Sequence, residues 1–115
     1  MIRTNFNMAE ENITMIRGDT LAFNVEITDN YGEPIQVDSA YFTCKKDIYS
    51  NITTFQKTLE NGIEQDDGLL IVRIDPNDTK EVIAGKYFYD FQVNIGDDTY
   101  TLQIGVLAID QDVTY

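Results

Sequence analysis

Carboxylates are the side chains of this sequence most able to do chemistry, and several of them gather in two acidic turns. The stretch EQDDG contains Glu64, Asp66 and Asp67, and the stretch GDD contains Asp97 and Asp98. Calcium is bound by roughly six to eight oxygen atoms from a shaped loop, but neither spacing is that of an EF-hand loop. Asp and Gly are also the residues that solvent-exposed turns prefer. We therefore expect ordinary turns and no metal site, and calcium binding by these turns stays open.

Other kinds of catalytic site lack the residues that they require. The 115 residues include one Cys and no His, so an internal disulfide, a Cys–His zinc site and a histidine-based triad are excluded. The sequence also contains no glycine-rich phosphate loop, nucleophile elbow or metal-binding helix motif. Two carboxylates can act as acid and base, but the sequence shows no pair converging in a cleft. We predict that the protein is not an enzyme and has no catalytic residue and no cofactor.

The charge balance limits the partners. Lys and Arg number 8 and Asp and Glu number 20, which gives a net charge of -12. Such a surface repels phosphates, so no nucleic-acid partner is predicted, and its simplest role is to keep the protein soluble. The alternative function is a small acidic mimic of nucleic acid that inhibits a DNA-binding protein. A mimic requires carboxylates in a regular array on one face.

The sequence gives no sign of a membrane segment or an export signal. No apolar run approaches the roughly 20 residues that a membrane-spanning helix needs, so no membrane partner is predicted. The first residues, MIRTNFNMAEEN, have no apolar central segment, so we expect no secretory signal peptide.

Arg17, Gly18 and Asp19 spell the tripeptide that adhesion proteins present to integrin receptors. Integrin ligands need this tripeptide at an exposed loop tip, whereas apolar runs flank it closely here. Gly18 can adopt a positive φ angle, and the Asp19 side chain can bond the following backbone. We predict a structural bend between two strands and no receptor ligand, and an extracellular adhesion module is the second alternative.

Alternation of apolar and polar residues is the dominant pattern, and it predicts β-strands with one face in a core. The predicted inward positions are Leu21, Phe23, Val25 and Ile27; Ala40, Phe42 and Cys44; Leu70, Val72 and Ile74; and Tyr87, Tyr89, Phe91, Val93 and Ile95. Cys44 is therefore predicted to be a small core residue and not a reactive thiol.

The last predicted strand, YTLQIGVLAI, places Tyr100, Leu102, Ile104, Val106 and Ala108 in one inward phase. The outward phases of this strand and of the strand before it then contain three large apolar residues. They form the predicted candidate interaction surface, which consists of Phe88, Leu107 and Ile109.

About seven short strands separated by turn signals predict an all-β fold, an antiparallel immunoglobulin-like sandwich over residues 12–115 with an N-terminal arm over residues 1–11. One short helix is predicted, with Asp75 as its cap, Pro76 at its first position and Gly85 as its stop. Tyr87 stands two residues before Tyr89, where immunoglobulin-like domains often carry a corner tyrosine. Tyr89 replaces the second core cysteine and no Trp is present, which excludes an antibody-type domain but not the architecture.

Four stretches carry a family resemblance: RGDTLAFNVEI, DNYGEPIQVDSAYFTCKKD, DPNDTKEVIAGKYFYDFQV and YTLQIGVLAIDQDVT. The sequence resembles small proteins of tailed bacteriophages and prophages, in particular the amino-terminal domain of phage baseplate upper proteins. The resemblance implies an immunoglobulin-like domain that attaches a receptor-binding apparatus to the tail baseplate. It also implies other tail or baseplate proteins as partners, with a homo-oligomer among the options. The expected location is the virion, or the bacterial host cytoplasm before assembly.

Overall fold

The structure, a computed structural model, describes the backbone of residues 3–6 and all of residues 12–113. Within these residues the elements are β1 Arg3–Phe6, β2 Ile13–Ile16, β3 Leu21–Thr28, β4 Ser39–Lys45, β5 Phe55–Thr58, β6 Ile63–Asp66, β7 Leu69–Ile74, α1 Pro76–Thr79, β8 Gly85–Ile95 and β9 Asp98–Asp110. They form a four-stranded sheet in the order β1-β3-β7-β6 and a five-stranded sheet in the order β2-β9-β8-β4-β5. The predicted all-β, immunoglobulin-like sandwich is confirmed.

The beginning of the chain contributes a strand to each sheet. Strand β1 pairs antiparallel with β3, and β2 pairs parallel with β9. Residues 3–6 of the predicted N-terminal arm therefore form a strand of the sandwich. The rest of that arm, residues 1–2 and 7–11, lies outside the described residues, as do residues 114–115.

The core lies between the two sheets and contains the side chains that alternation predicted for β3, β4, β7 and β8. The buried members are Phe23, Val25, Ile27, Ala40, Phe42, Cys44, Leu70, Val72, Ile74, Tyr87, Tyr89, Phe91 and Val93, and Leu21 and Ile95 pack against them. The ring of Phe42 lies at the centre, 5.0 Å from the Tyr89 ring and 5.5 Å from the Phe23 ring. Burial raises the pKa of the Cys44 thiol to about 12, which suits an inert core residue.

A β-bulge shifts the register of β9 partway along its pairing with β8. Val93 lies opposite Tyr100, but Phe91 lies opposite Gln103. Between these two pairs β9 therefore has one residue more than β8. The Gln103 side chain donates a hydrogen bond to the Tyr89 hydroxyl over 2.6 Å, which places it on the core side of the bulge. Because of this extra residue, every later side chain of β9 lies on the face of the sheet opposite to the one that strict alternation predicts.

The predicted inward phase of β9 is therefore wrong beyond the bulge. Leu107 and Ile109, predicted to face outwards, are buried in the core with 0% and 1% exposure. Ile104 and Val106, predicted to face inwards, lie on the outer face of the five-stranded sheet instead.

The segment between β7 and β8 carries the predicted helix and the corner tyrosine. The Asp75 backbone N–H donates to the Asp78 carboxylate over 2.7 Å, which caps the start of α1. The helix ends at Thr79, so the prediction of Gly85 as its stop is wrong; a further turn intervenes, and Gly85 begins β8. The Tyr87 hydroxyl donates to the Ile83 carbonyl oxygen over 2.6 Å, as a tyrosine corner does.

Candidate protein-binding surface

The outer face of the five-stranded sheet carries a shallow groove of about 290 Å³. Its lining residues, called the outer groove below, are Thr43, Lys45, Ile48, Phe88, Tyr89, Asp90 and Ile104. Strands β4, β8 and β9 supply its floor, and the loop between β4 and β5 supplies Ile48. The groove is open to solvent and lies on the side of the sheet opposite the core.

Strand register sets the order of side chains across the groove. Lys45 on β4 lies opposite Phe88 on β8, and Phe88 lies opposite Val106 on β9. In the next row, Asp90 lies between Thr43 and Ile104 in the same way. Neighbouring strands are about 4.8 Å apart, so each row brings its three side chains together.

Apolar surface is concentrated at one side of the groove. Ile104 is 63% exposed, and Phe88 and Val106 are half-buried beside it. Ile48 is also exposed, and the turn that carries it is held by two bonds to Asp47, from the backbone N–H groups of Tyr49 and Ser50. Phe88, Ile104 and Val106 adjoin one another on two paired strands and form an apolar strip, and Ile48 lines the same groove from the loop after β4.

One cation and one anion flank the strip. Partial burial raises the pKa of the Asp90 carboxyl, and the nearby Lys45 charge opposes that rise. Within the described residues, the Asp90 carboxylate accepts only a long hydrogen bond, 3.5 Å, from the Gln92 side chain. No ion pair joins Lys45 to a carboxylate within the described part of the chain. Both charged groups can therefore accept a stronger partner from another molecule.

A group of seven carboxylates lies away from the groove, at one end of the sandwich. The loops β3–β4, β6–β7 and β8–β9 meet there. The acidic residues in these loops and at the strand ends beside them are Asp29, Glu33, Asp38, Asp66, Asp67, Asp97 and Asp98. The Asp38 carboxylate accepts the Gly96 N–H over 2.7 Å and so ties two of these loops together. Across residues 3–6 and 12–113, no group of three or more Cys, Asp or Glu residues could hold a metal ion.

Arg17 and Gly18 are turned into the fold, which confirms the predicted bend. Gly18 has a φ angle of 83° and is buried, and its N–H donates to the Thr79 hydroxyl over 2.9 Å. Arg17 Nε donates to Asp112 Oδ1 over 2.8 Å, and Arg17 Nη1 donates to the Val82 carbonyl oxygen over 3.3 Å. The absence of receptor binding stays a prediction.

Of the three residues of the predicted interaction surface, only one lies on the outer face of the sheet. Phe88 lines the outer groove, whereas Leu107 and Ile109 lie in the core because of the β9 bulge. The sequence analysis missed Ile104 and Ile48. The available signal was the stretch QIGVLAI, in which both alternation phases are apolar, so that one phase must lie outside the core.

Comparison with known proteins supports the fold alone. No family model matches the chain, and no curated protein matches it. CopC from Methylosinus trichosporium OB3b is 9% identical with a TM-score of 0.55, and the match covers 98% of this chain and 99% of that one. A marsupial T cell receptor is 8% identical with a TM-score of 0.57, covering 100% of this chain and 55% of the other.

A third structure carries the immunoglobulin name. The N-terminal Ig1-2 module of the Drosophila receptor protein tyrosine phosphatase DLAR is 14% identical with a TM-score of 0.50, covering 96% of this chain and 50% of that one. The class that these matches define is the immunoglobulin-like β-sandwich. In addition, none of the described helical residues forms a segment long and apolar enough to cross a membrane.

Proposed function

We propose that this chain is an attachment component of a bacteriophage tail or baseplate, or of a prophage-derived particle, and that it acts by binding proteins without catalysis. The observation that carries the proposal is the apolar strip of the outer groove on a chain of net charge -12. The phage setting comes from the resemblance to the amino-terminal domain of baseplate upper proteins.

The apolar strip fits a binding surface because its members adjoin one another. Single exposed apolar residues are ordinary, but a contiguous patch rimmed by polar groups is typical of an interaction site. Phe88, Ile104 and Val106 are neighbours on two paired strands, with Thr43 and Lys45 at the polar rim. Burying such side chains against a partner gives up to about 1.5–3 kcal/mol for each large apolar residue.

The edge of β9 lies beside the same surface and offers backbone hydrogen-bonding groups to a partner. Strand β2 pairs only with Leu107–Asp110, and the Val106 N–H donates to the Asn12 side chain. From Asp98 to Ile104, no strand among the described residues pairs with β9 on the side away from β8. An edge of this kind can accept a strand of another protein through main-chain hydrogen bonds.

The placement of the carboxylates favours attachment over mimicry of nucleic acid. On the outer face of the four-stranded sheet, Ile71 separates Asn24 from Glu64, and Leu69 separates Glu26 from Asp66. The acidic residues of that face are therefore interrupted by apolar ones, and the densest acidic region consists of turns at one end. A mimic requires a regular array on a face.

Particle purification tests the proposal. We expect the chain to co-sediment with tail or tail-like particles from an induced culture of the bacterium that encodes it. Ile104→Asp should lower the amount bound about tenfold or more, because a charge would be buried in the contact. The matched control is Ile83→Asp, at a residue that is 78% exposed and outside the outer groove. A chain that stays entirely in the particle-free fraction would contradict the proposal.

A further inference from the structure

We infer that the outer groove binds the same groove of a second copy of this chain, with Lys45 of each copy facing Asp90 of the other. The inference rests on the proposed function, since it names an occupant for the surface proposed there. Its interface is isologous, so one patch must be complementary to itself.

The groove satisfies that requirement with one charge of each sign. Lys45 lies opposite Phe88 and Asp90 lies opposite Thr43, so the two charged residues are diagonal neighbours on adjacent strands. A two-fold axis that passes close to Phe88 brings each Lys45 to the other copy's Asp90. It also stacks the apolar strips near the axis, where water is excluded most completely.

The unmet bonding capacity of both charges points to such a partner. Within the described residues Lys45 forms no ion pair, and Asp90 accepts the long bond from Gln92. An ion pair between copies gives each group a charged partner at hydrogen-bond distance. Charge-assisted bonds are about twice as strong as neutral ones.

The distribution of charge permits two copies to approach at this face despite the net charge of -12. The charged residues on the outer face of the three central strands are Lys45, Lys86, Asp90 and Asp110. They carry no net charge, whereas the seven carboxylates in and beside the three acidic loops lie at one end of the sandwich. At physiological salt, charges more than about 8 Å apart are largely screened, so the acidic ends repel only weakly.

The area of the face sets the expected affinity of the dimer. Five strands about 4.8 Å apart and five residues of about 3.3 Å each give a face of about 400 Å² per copy. The total of about 800 Å² lies below the roughly 1,200–2,000 Å² of stable complexes. We therefore expect a weak dimer with a Kd of about 10–500 μM. A high local concentration of the chain in a particle would populate this dimer.

Sedimentation equilibrium up to about 1 mM protein is the first test. The wild-type chain should dimerise, Ile104→Asp should weaken association about tenfold or more, and Ile83→Asp should leave it unchanged. A wild-type chain that remains monomeric throughout this range overturns the inference.

Two charge reversals supply the sharper test, because each is repulsive alone and the pair is attractive. Lys45→Glu and Asp90→Lys should each be monomeric, since each homodimer would face like charges. An equimolar mixture should form a heterodimer, in which Glu at position 45 meets Lys at position 90 and the wild-type pair is kept at the second contact. A mixture that associates no better than either variant alone contradicts the arrangement.

The outcomes separate this inference from the attachment function. A monomeric chain whose Ile104→Asp variant is lost from particles shows that a different protein occupies the groove, which overturns the dimer and leaves attachment standing. A dimeric chain that is absent from particles supports the dimer and contradicts the attachment function.

Discussion

Lys57 Nζ lies 2.8 Å from Asp78 Oδ2, so a lysine that points into the sandwich from β5 ends on the helical turn α1. The Lys57 side chain is only 2% exposed, and the Asp75 carboxylate lies farther away, at 3.8 Å. Charge neutralisation by Asp78 is what permits this burial, since an unpaired buried charge is costly.

Removal of the Asp78 carboxylate should therefore destabilise the fold more than removal of the Lys57 charge. We expect Asp78→Ala to lower the free energy of unfolding by about 3 kcal/mol, because it leaves the Lys57 charge buried without its nearest partner. Lys57→Met keeps the packing of the stem and leaves Asp78 bonded to the Asp75 N–H, so it should cost about 1 kcal/mol. Urea unfolding of the two variants measures both values, and an equal or reversed order would contradict this account.

Gly18 should be required for its backbone conformation. Its φ angle of 83° is disfavoured for a β-branched residue, so Gly18→Val should destabilise the fold by about 1–3 kcal/mol. Asp19 is exposed, and Asp19→Glu should leave the unfolding midpoint nearly unchanged. The wild-type chain should not support adhesion of integrin-bearing cells. Adhesion that disappears in Asp19→Glu would revive the receptor-ligand alternative.

Cys44 should be protected from thiol reagents in the folded state. Burial raises its pKa from 9.0 to about 12, so its contribution to stability is complete below about pH 9 and is lost as the pH rises towards 12. Modification by a thiol reagent at pH 8 should occur only in unfolded molecules, and it should reach the rate of unfolding when the reagent is concentrated enough to outpace refolding. Between pH 9 and 11 the wild-type chain should lose more stability than Cys44→Ala does. Fast labelling of the native protein would disprove the burial of the thiol.

Ionisation of Asp90 should lower the stability of the folded chain. Its pKa in the folded state is raised by burial, so the penalty is absent below the ordinary value of 3.8 and grows as the pH rises through the raised value. Asp90→Asn should therefore raise the unfolding midpoint at pH 7, and the gain should shrink as the pH falls towards 3.8. Thermal unfolding at a few micromolar protein keeps the chain monomeric. A gain that is larger at pH 4 than at pH 7 would have the wrong sign.

The sequence predicted the faces of β3, β4 and β8 because polar residues outnumber apolar ones in the outward phase of each of these strands. The inward phase of β7 was also predicted correctly, although its outward phase contains Leu69 and Ile71 beside Arg73. The corner tyrosine was predictable for a local reason, since Tyr87 and its acceptor Ile83 are only four residues apart. The bend at Gly18 was predictable because few residues adopt a positive φ angle.

The outer groove could not be predicted from the sequence in the same way. Both phases of QIGVLAI are apolar, so alternation does not choose between Ile104 and Leu107 as the buried residue. The choice depends on the bulge, which is set by pairing with β8 and by the bond between Gln103 and Tyr89. The burial of Lys57 likewise depends on a partner that lies 21 residues away in the sequence. Contacts of this range are properties of the folded chain.

Site-specific photo-cross-linking tests the central claim, that the outer groove is a protein-binding surface, most directly. A photoreactive p-benzoylphenylalanine in place of Ile48, which lines the groove, is compared with the same group in place of the exposed Ile83 outside it. In purified particles, we predict cross-linked protein adducts from position 48 and none from position 83. Adducts from position 83 alone, or none from either position in particles that contain the chain, would contradict the claim.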